Sequence, residues 1–203
     1  RTIDTVENEA QRVFKLQREA YLRQPYPSYE ERLHHLRTID RVLVDNRKEI
    51  AAAISADFGH RAAEESMIAE LFTSVDGLRD AAKQLKRWMA PERRHVSALF
   101  ATGHNRVVPM PKGVVGIVSP WNYPLFLTIS PLTSALAAGN RAMIKMAANS
   151  QHLCRLLAEK LRGFGVDEVH LGLAGTGVVG VIRSGEGGGS VALRADMDAL
   201  PIE

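Results

Sequence analysis

Gly113-Val-Val-Gly-Ile-Val-Ser-Pro-Trp-Asn-Tyr-Pro124, followed further on by Ala142-Met-Ile-Lys145, is the stretch around which the chain is organised. Its first six residues, rich in Val, Ile and Gly, have the composition of a short buried strand. Ser119-Pro120 stops that strand, because proline has no N–H to give to a ladder. Trp121 and Asn122 then fall on a loop held between Pro120 and Pro124. Such a loop is stiff, and it lies at the carboxyl end of a strand, where α/β sheets place their ligands. An amide side chain fixed there can aim its N–H at a ligand oxygen.

Working outward, Asn105 to Met110 reads as a strand before this one, with Pro111-Lys-Gly113 as the connecting turn. Leu125 to Ala138 reads as a helix despite Pro131. Gly139-Asn140 closes it in a left-handed turn, and Arg141 to Lys145 is the next strand. A right-handed strand–helix–strand crossover gives parallel pairing. On the amino-terminal side, residues 4–24 alternate apolar and charged positions at helical period, up to Pro25 and Pro27. Ser28 with Glu31 makes a capping box for a second helix, to about Val44. Asn46 with Glu49 repeats the signature for a third, to about Ala56. Asp57-Phe-Gly-His60 reads as the turn that ends it. A long helix is expected over 62–89, with Ile68, Leu71, Phe72, Val75, Leu78, Ala82, Leu85 and Trp88 as its core-facing stripe. The basic residues Lys83, Lys86, Arg87, Arg93 and Arg94 near its end read as a solvated face.

The 203 residues are long enough to bury a real core, and 45% hydrophobic with 24% charged residues is ordinary for a globular protein. A net charge of +3, spread along the chain, argues against a nucleic-acid or membrane role. The longest apolar run, 125–138, is too short and too interrupted for a membrane span. Arg1 is not followed by an apolar signal-peptide core, so a cytoplasmic setting is expected, and a start without Met suggests that residues precede it. The single cysteine, Cys154, excludes an intrachain disulfide. It lies among Leu153, Leu156, Leu157 and Leu161, an apolar stripe at helical spacing, and reads as a buried structural thiol.

"GVVGIVSPWNYPL" and "PLTSALAAGNRAMIK" resemble the nucleotide-binding half of the NAD(P)-dependent aldehyde dehydrogenases. "SYEERLHHLRTIDRVLVDNRKEIAAAISADFGHR" is similar to the coniferyl aldehyde dehydrogenase branch, and the likeness runs from about Val13 to about Lys145. The resemblance implies oxidation of an aldehyde, by the branch likeness an aromatic one of the coniferyl type, to the acid, with NAD or NADP as cofactor and a homodimer for a complete family member. Asn122 matches the asparagine whose amide helps stabilise the oxyanion of the thiohemiacetal. Lys145 matches the lysine on the adenosine ribose. Ser119, Pro120 and Trp121 match the loop lying along the cofactor, largely through backbone. The family's catalytic cysteine and glutamate have no match, so the isolated chain is expected to be inactive.

At Met146 the motif likeness lapses, where the relatives' Lys-Pro-Ser-Glu is replaced by Lys-Met-Ala-Ala. "AGTGVVGVIRSGEGGGSVALRADMDALPIE" resembles the amino-terminal part of metal-dependent amidohydrolases of the hippurate and aminoacylase type, over about Ala158 to Glu203. That resemblance implies a divalent metal pair, with Asp198 orienting a metal ligand and Asp196 where many relatives carry a histidine. The other ligands have no match, and no tight metal site is expected. Gly175-Thr-Gly-Val-Val-Gly180 is weak as a cofactor turn. A hairpin is expected instead, Val178 to Arg183 returning as Ser190 to Arg194.

The fold expected is therefore α/β: long N-terminal helices packed on a partial, mostly parallel cofactor-binding sheet, with a C-terminal β-hairpin. The division expected is a partial dehydrogenase domain at 1–145, a junction helix at 146–162 and a partial amidohydrolase segment at 163–203. A metallohydrolase, or a fused frame with no activity, is the alternative.

Overall fold

In the computed structural model, residues 3–162, 168–173, 177–181 and 191–195 are described, with side chains for 10–161. The helices are α1 (Ile3–Arg23), α2 (Tyr29–Asp45), α3 (Arg47–Phe58), α4 (Ala63–Glu65), α5 (Thr73–Met89), α6 (Phe126–Ala137) and α7 (Gln151–Arg162). The strands are β1 (Glu92–Arg94), β2 (Asn105–Val107), β3 (Val114–Val118), β4 (Arg141–Met146), β5 (Glu168–Leu173), β6 (Gly177–Val181) and β7 (Val191–Ala195).

The crossover stands as the sequence predicts. β3 and β4 run parallel, with Val114 opposite Arg141 and Val118 opposite Lys145. β7 adds parallel to the other edge of β4, giving the order β3-β4-β7. β4 is therefore central, and its six residues are buried or half-buried, as a parallel strand's should be. α6 packs on β3 and β4, and α2, α5 and α6 pack on one another. Leu36, Leu43, Leu78, Leu85, Leu132 and Ile144 fill the core between them. The Asp40–Arg79 ion pair (3.1 Å) ties α2 to α5, and Lys160–Glu49 (2.8 Å) ties α7 to α3.

Turn chemistry holds the crossover in register. Gly139 closes α6 with φ +82° and donates its N–H to the Leu136 carbonyl. The Asn140 Oδ1 then accepts the N–H groups of Lys112 (2.6 Å) and Gly113 (3.0 Å), fixing the start of β3 against the start of β4. Ser28 and Glu31 form the predicted capping box, each side chain accepting the other's backbone N–H.

Several expectations are corrected. Asn46 is the N-cap residue of α3, but its side chain makes no cap bond there: its amide donates to the Val42 carbonyl (2.8 Å) at the end of α2. The long helix does run from Ala63 to Met89, but Ser66–Phe72 is π-helical. That widened turn rotates the stripe, leaving Ile68 and Phe72 about two-thirds exposed (69% and 67%) and burying Ser66, Glu70 and Ser74 beside Leu71 and Leu78. Trp88 is also exposed. The strand expected at 105–110 is confined to β2, which pairs antiparallel with β1, away from β3. An antiparallel pair does occur near the carboxyl terminus, but between β5 and β6. The segment expected to return along β6 is instead β7, which joins β4.

Candidate functional site

The carboxyl ends of β3 and β4 meet where the sequence places its candidates. The Ser119 N–H donates to the Lys145 carbonyl (2.8 Å), so the start of the loop is fastened to the end of the neighbouring strand. Lys145 is half-buried at that rim. Ser119 is buried, and its hydroxyl lies 3.3 Å from the carbonyls of Pro120 and Pro124. It braces the loop from inside, and only its backbone is available to a ligand. Trp121 is 60% exposed, its ring tilted 37° to Phe58 with centroids 6.5 Å apart. Val118 is exposed, and at Gly116 an added Cβ would meet nothing within 4 Å. The rim thus offers open, largely apolar ground beside Trp121.

Asn122 is exposed, and among the described residues no hydrogen bond engages its side-chain amide. Its carbonyl is held: Arg61 Nη1 donates to it at 2.8 Å. The same nitrogen donates to Glu70 Oε1 (3.1 Å), and Arg61 Nε and Nη2 reach Glu65 Oε1 (3.1 and 2.9 Å). The guanidinium also lies over the rings of Phe58 (4.4 Å) and Tyr123 (4.6 Å). Glu70, with no solvent exposure, turns its Oε2 to the N–H of Leu125 (2.7 Å) and of Phe126 (3.3 Å). It thereby caps α6, whose N-cap residue Leu125 supplies no side-chain bond. Burial pushes the Glu70 carboxyl above its ordinary value, while the two N–H groups and Arg61 pull it back.

Neither Arg61 nor Glu70 is a candidate in the sequence reading. The available signal is an acid at position 70, beside Leu71 in an otherwise apolar stripe. Asp57 is a second miss. It reads as part of a turn, yet its carboxylate accepts the backbone N–H of His152 (2.8 Å) and Leu153 (3.0 Å), capping α7.

Cys154 is buried on α7 among Leu153, Leu157 and Leu161, as expected. Burial, helped by the charge of Asp57, pushes its thiol up to about 12. It is chemically the opposite of an activated nucleophile. Asp196 and Asp198 lie outside the described residues. Among the described residues no group of three or more His, Cys, Asp or Glu could hold a metal ion, and no helix is long and apolar enough to cross a membrane.

A parallel β–α–β crossover with a proline-bounded loop at its strand ends defines an α/β fold, and this rim is where such sheets place their ligands. The chain belongs to the aldehyde dehydrogenase family, whose sequence pattern matches residues 3–179. That match continues across Met146 and takes in residues 158–179, where the sequence suggests an amidohydrolase segment, and the relatives given below are aldehyde dehydrogenases. The probable coniferyl aldehyde dehydrogenase of Pseudomonas aeruginosa is 45% identical over 163 residues, 80% of this chain and 34% of that protein. The coniferyl aldehyde dehydrogenase of a Pseudomonas species is 40% identical over 154 residues, 76% of this chain and 31% of that one. Among solved structures, a Mycobacterium tuberculosis aldehyde dehydrogenase complexed with NAD+ aligns with a TM-score of 0.70 at 22% identity, over 91% of this chain and 33% of its own. The HpcC protein of Thermus thermophilus gives 0.72 at 23%, over 94% and 32%. At those identities the structures bear on fold alone. The chain spans about a third of the length of the curated relatives it matches.

Proposed function

We propose that this chain forms the amino-terminal part of the cofactor-binding domain of an NAD(P)-dependent aldehyde dehydrogenase that oxidises an aromatic aldehyde of the coniferyl type to its acid. The observation that carries this reading is the rim itself: the Asn122 loop and Lys145 brought together at the ends of two parallel strands by the Ser119–Lys145 bond. The 45% and 40% identities to coniferyl aldehyde dehydrogenases favour the substrate class. NAD or NADP fits the open apolar ground beside Trp121, with Lys145 at its edge for the ribose and the backbone of Ser119 to Trp121 along it. Bound there, the dinucleotide supplies the acceptor for hydride.

Asn122 acts on the other reactant. When a thiolate adds to the aldehyde carbon, the carbonyl oxygen becomes an oxyanion, and the Asn122 amide N–H donates to it. Cys154, buried and protonated, is not that thiolate, so the nucleophile and the base that activates the hydrolytic water belong to the remainder of the enzyme. The isolated chain is inactive on this reading. The complete enzyme works in the cytoplasm, on a small-molecule aldehyde, as a homodimer.

Residues 1–145 form the partial dehydrogenase domain and 146–162 its junction helix. For 163–203 the amidohydrolase origin is supported only by Leu193-Arg-Ala-Asp-Met-Asp-Ala-Leu-Pro201, with Asp198 beside a divalent metal pair. The reading frame past Glu203 tests that origin, since a Cys-Gly-His-Asp motif there supports the hydrolase and a Gly-Gln-x-Cys loop the dehydrogenase.

The site is tested in a complete dehydrogenase carrying residues 1–162 of this chain. Removing one oxyanion donor costs on the order of 10²–10³ in kcat. Asn122→Ala should lower kcat by about that range and leave cofactor affinity unchanged. Lys145→Ala should weaken cofactor binding with a smaller effect on kcat. A normal kcat in Asn122→Ala removes the oxyanion role.

A further inference from the structure

Two prolines do not by themselves fix Asn122. Pro120 and Pro124 set their own φ and restrict the residues that precede them, Ser119 and Tyr123. The backbone torsions of Trp121 and Asn122 remain free of that constraint. A donor that acts on a developing charge gains most when it is held in place beforehand. What restrains the peptide from which the Asn122 side chain projects must come from outside the loop.

The structure assigns this task to Arg61: it is the positioning residue of the Asn122 loop, gripping the Asn122 carbonyl while its partner Glu70 grips the other end of the same loop. The inference rests on the reading of Asn122 as the oxyanion donor. Three observations carry it. Arg61 is a long, flexible residue, yet only 9% of its side chain is exposed. Its donors are spent on fixed groups: Nη1 on the Asn122 carbonyl and Glu70 Oε1, Nε and Nη2 on Glu65 Oε1. Its flat face lies over the ring of Phe58, at the end of α3, and over that of Tyr123, inside the loop. A lysine could keep the charge but neither the fork nor the stacking.

Glu70 completes the device. One oxygen holds Arg61 and the other the N–H groups of Leu125 and Phe126, so a single carboxylate joins the clamp on Asn122 to the first turn of α6. It reaches that place because Ser66–Phe72 is π-helical, which turns position 70 inward and position 72 out. Single π-turns within helices recur at functional sites. An ordinary surface ion pair would show neither the burial nor the backbone acceptors.

The test has two arms. In the 203-residue chain with Trp88→Phe, Trp121 is the sole tryptophan and reports on the loop. Arg61→Met, which keeps the stem over the rings and loses the fork, should raise acrylamide quenching and lower the anisotropy of Trp121, with far-UV circular dichroism unchanged. Arg61→Lys, the milder variant should Arg61→Met fail to fold, should give an intermediate response. Unchanged quenching and anisotropy in both overturn the clamp. In the complete dehydrogenase carrying this segment, Arg61→Met should lower kcat by about tenfold to a hundredfold, the cost of a small misplacement, with cofactor affinity within twofold. On an Asn122→Ala background it should cost nothing further. An equal loss on that background means that Arg61 acts independently of Asn122, and the inference fails. If Asn122→Ala alone keeps full kcat, the oxyanion reading falls, and Trp121 in the first arm still decides whether Arg61 holds the loop.

Discussion

Cys154 shows how one residue type takes its chemistry from its surroundings. A thiol serves as a nucleophile only as thiolate, and thiolates form beside cations or helix N-termini in partly open sites. Cys154 stands in the first turn of α7 with Arg155 pulling its thiol down, but its site is closed and burial outweighs both. It faces the core from α7 with Leu153 and Leu157, and the nearby charge of Asp57 adds to burial in holding the proton on. With the thiol near 12, a disulfide reagent at pH 8 should modify the native chain at least about a hundredfold more slowly than the urea-unfolded chain. Rapid labelling without unfolding would show Cys154 to be open. The leucine spacing in the sequence shows this burial, because an apolar stripe is a local pattern. The Arg61–Glu70 clamp is not local in that sense: Asn122 lies 61 residues from Arg61, and Leu125 lies 55 from Glu70.

At the scale of elements, α6 is held at both ends by side chains from elsewhere. Glu70 takes its first N–H groups, and at its far end Arg32 donates from Nη1 to the Ala137 carbonyl (3.1 Å) and from Nε to the Pro27 carbonyl (3.0 Å). Arg32 is only 3% exposed, and it passes so close to Gly139 that an added Cβ would stand 2.6 Å from its Cζ. Gly139 is thus required twice, for its left-handed φ and for the space. Alanine in that conformation costs about 1–2 kcal/mol by itself, and it would also push a buried guanidinium off its carbonyls. Gly139→Ala should therefore lose about 2 kcal/mol or more in urea unfolding. A loss below about 0.5 kcal/mol would mean that Arg32 moves aside freely. Sequence reading finds such glycine caps because the cap residue follows the helix directly. It places Asn46 at the start of α3 but misassigns its side chain, because a cap-like residue between two abutting helices can serve either one, and here the amide turns back to Val42. It misplaces Ile68 and Phe72 because a fixed helical period cannot anticipate a π-turn.

For the molecule as a whole, the β3–α6–β4 unit is legible because strand, loop, helix and cap follow one another in sequence. The place of β7 is not, since pairing Ala142 with Val191 depends on no pattern within either segment. Electrostatics is read from the assembled fold in the same way. His35, on α2, lies near His34, Glu31 and Arg141, and its imidazole is held down to about 4, chiefly by burial and then by His34 and Arg141, with Glu31 opposing. In the unfolded chain the same group titrates near 6.5. Between those values the unfolded state binds the proton and the folded state does not. Stability from this residue is therefore present above about pH 6.5 and is lost as pH falls toward about 4, with a slope of at most about 1.4 kcal/mol per pH unit. Glu70 works in the other direction: its raised carboxyl makes the fold the better proton acceptor, so its contribution falls as pH rises through the folded value. Equilibrium unfolding at pH 7, 6 and 5 separates the two. His35→Gln should flatten the loss of stability on acidification and leave the neutral-pH side of the curve in shape. If the variant loses stability toward pH 5 as steeply as the parent, His35 is not the group that titrates.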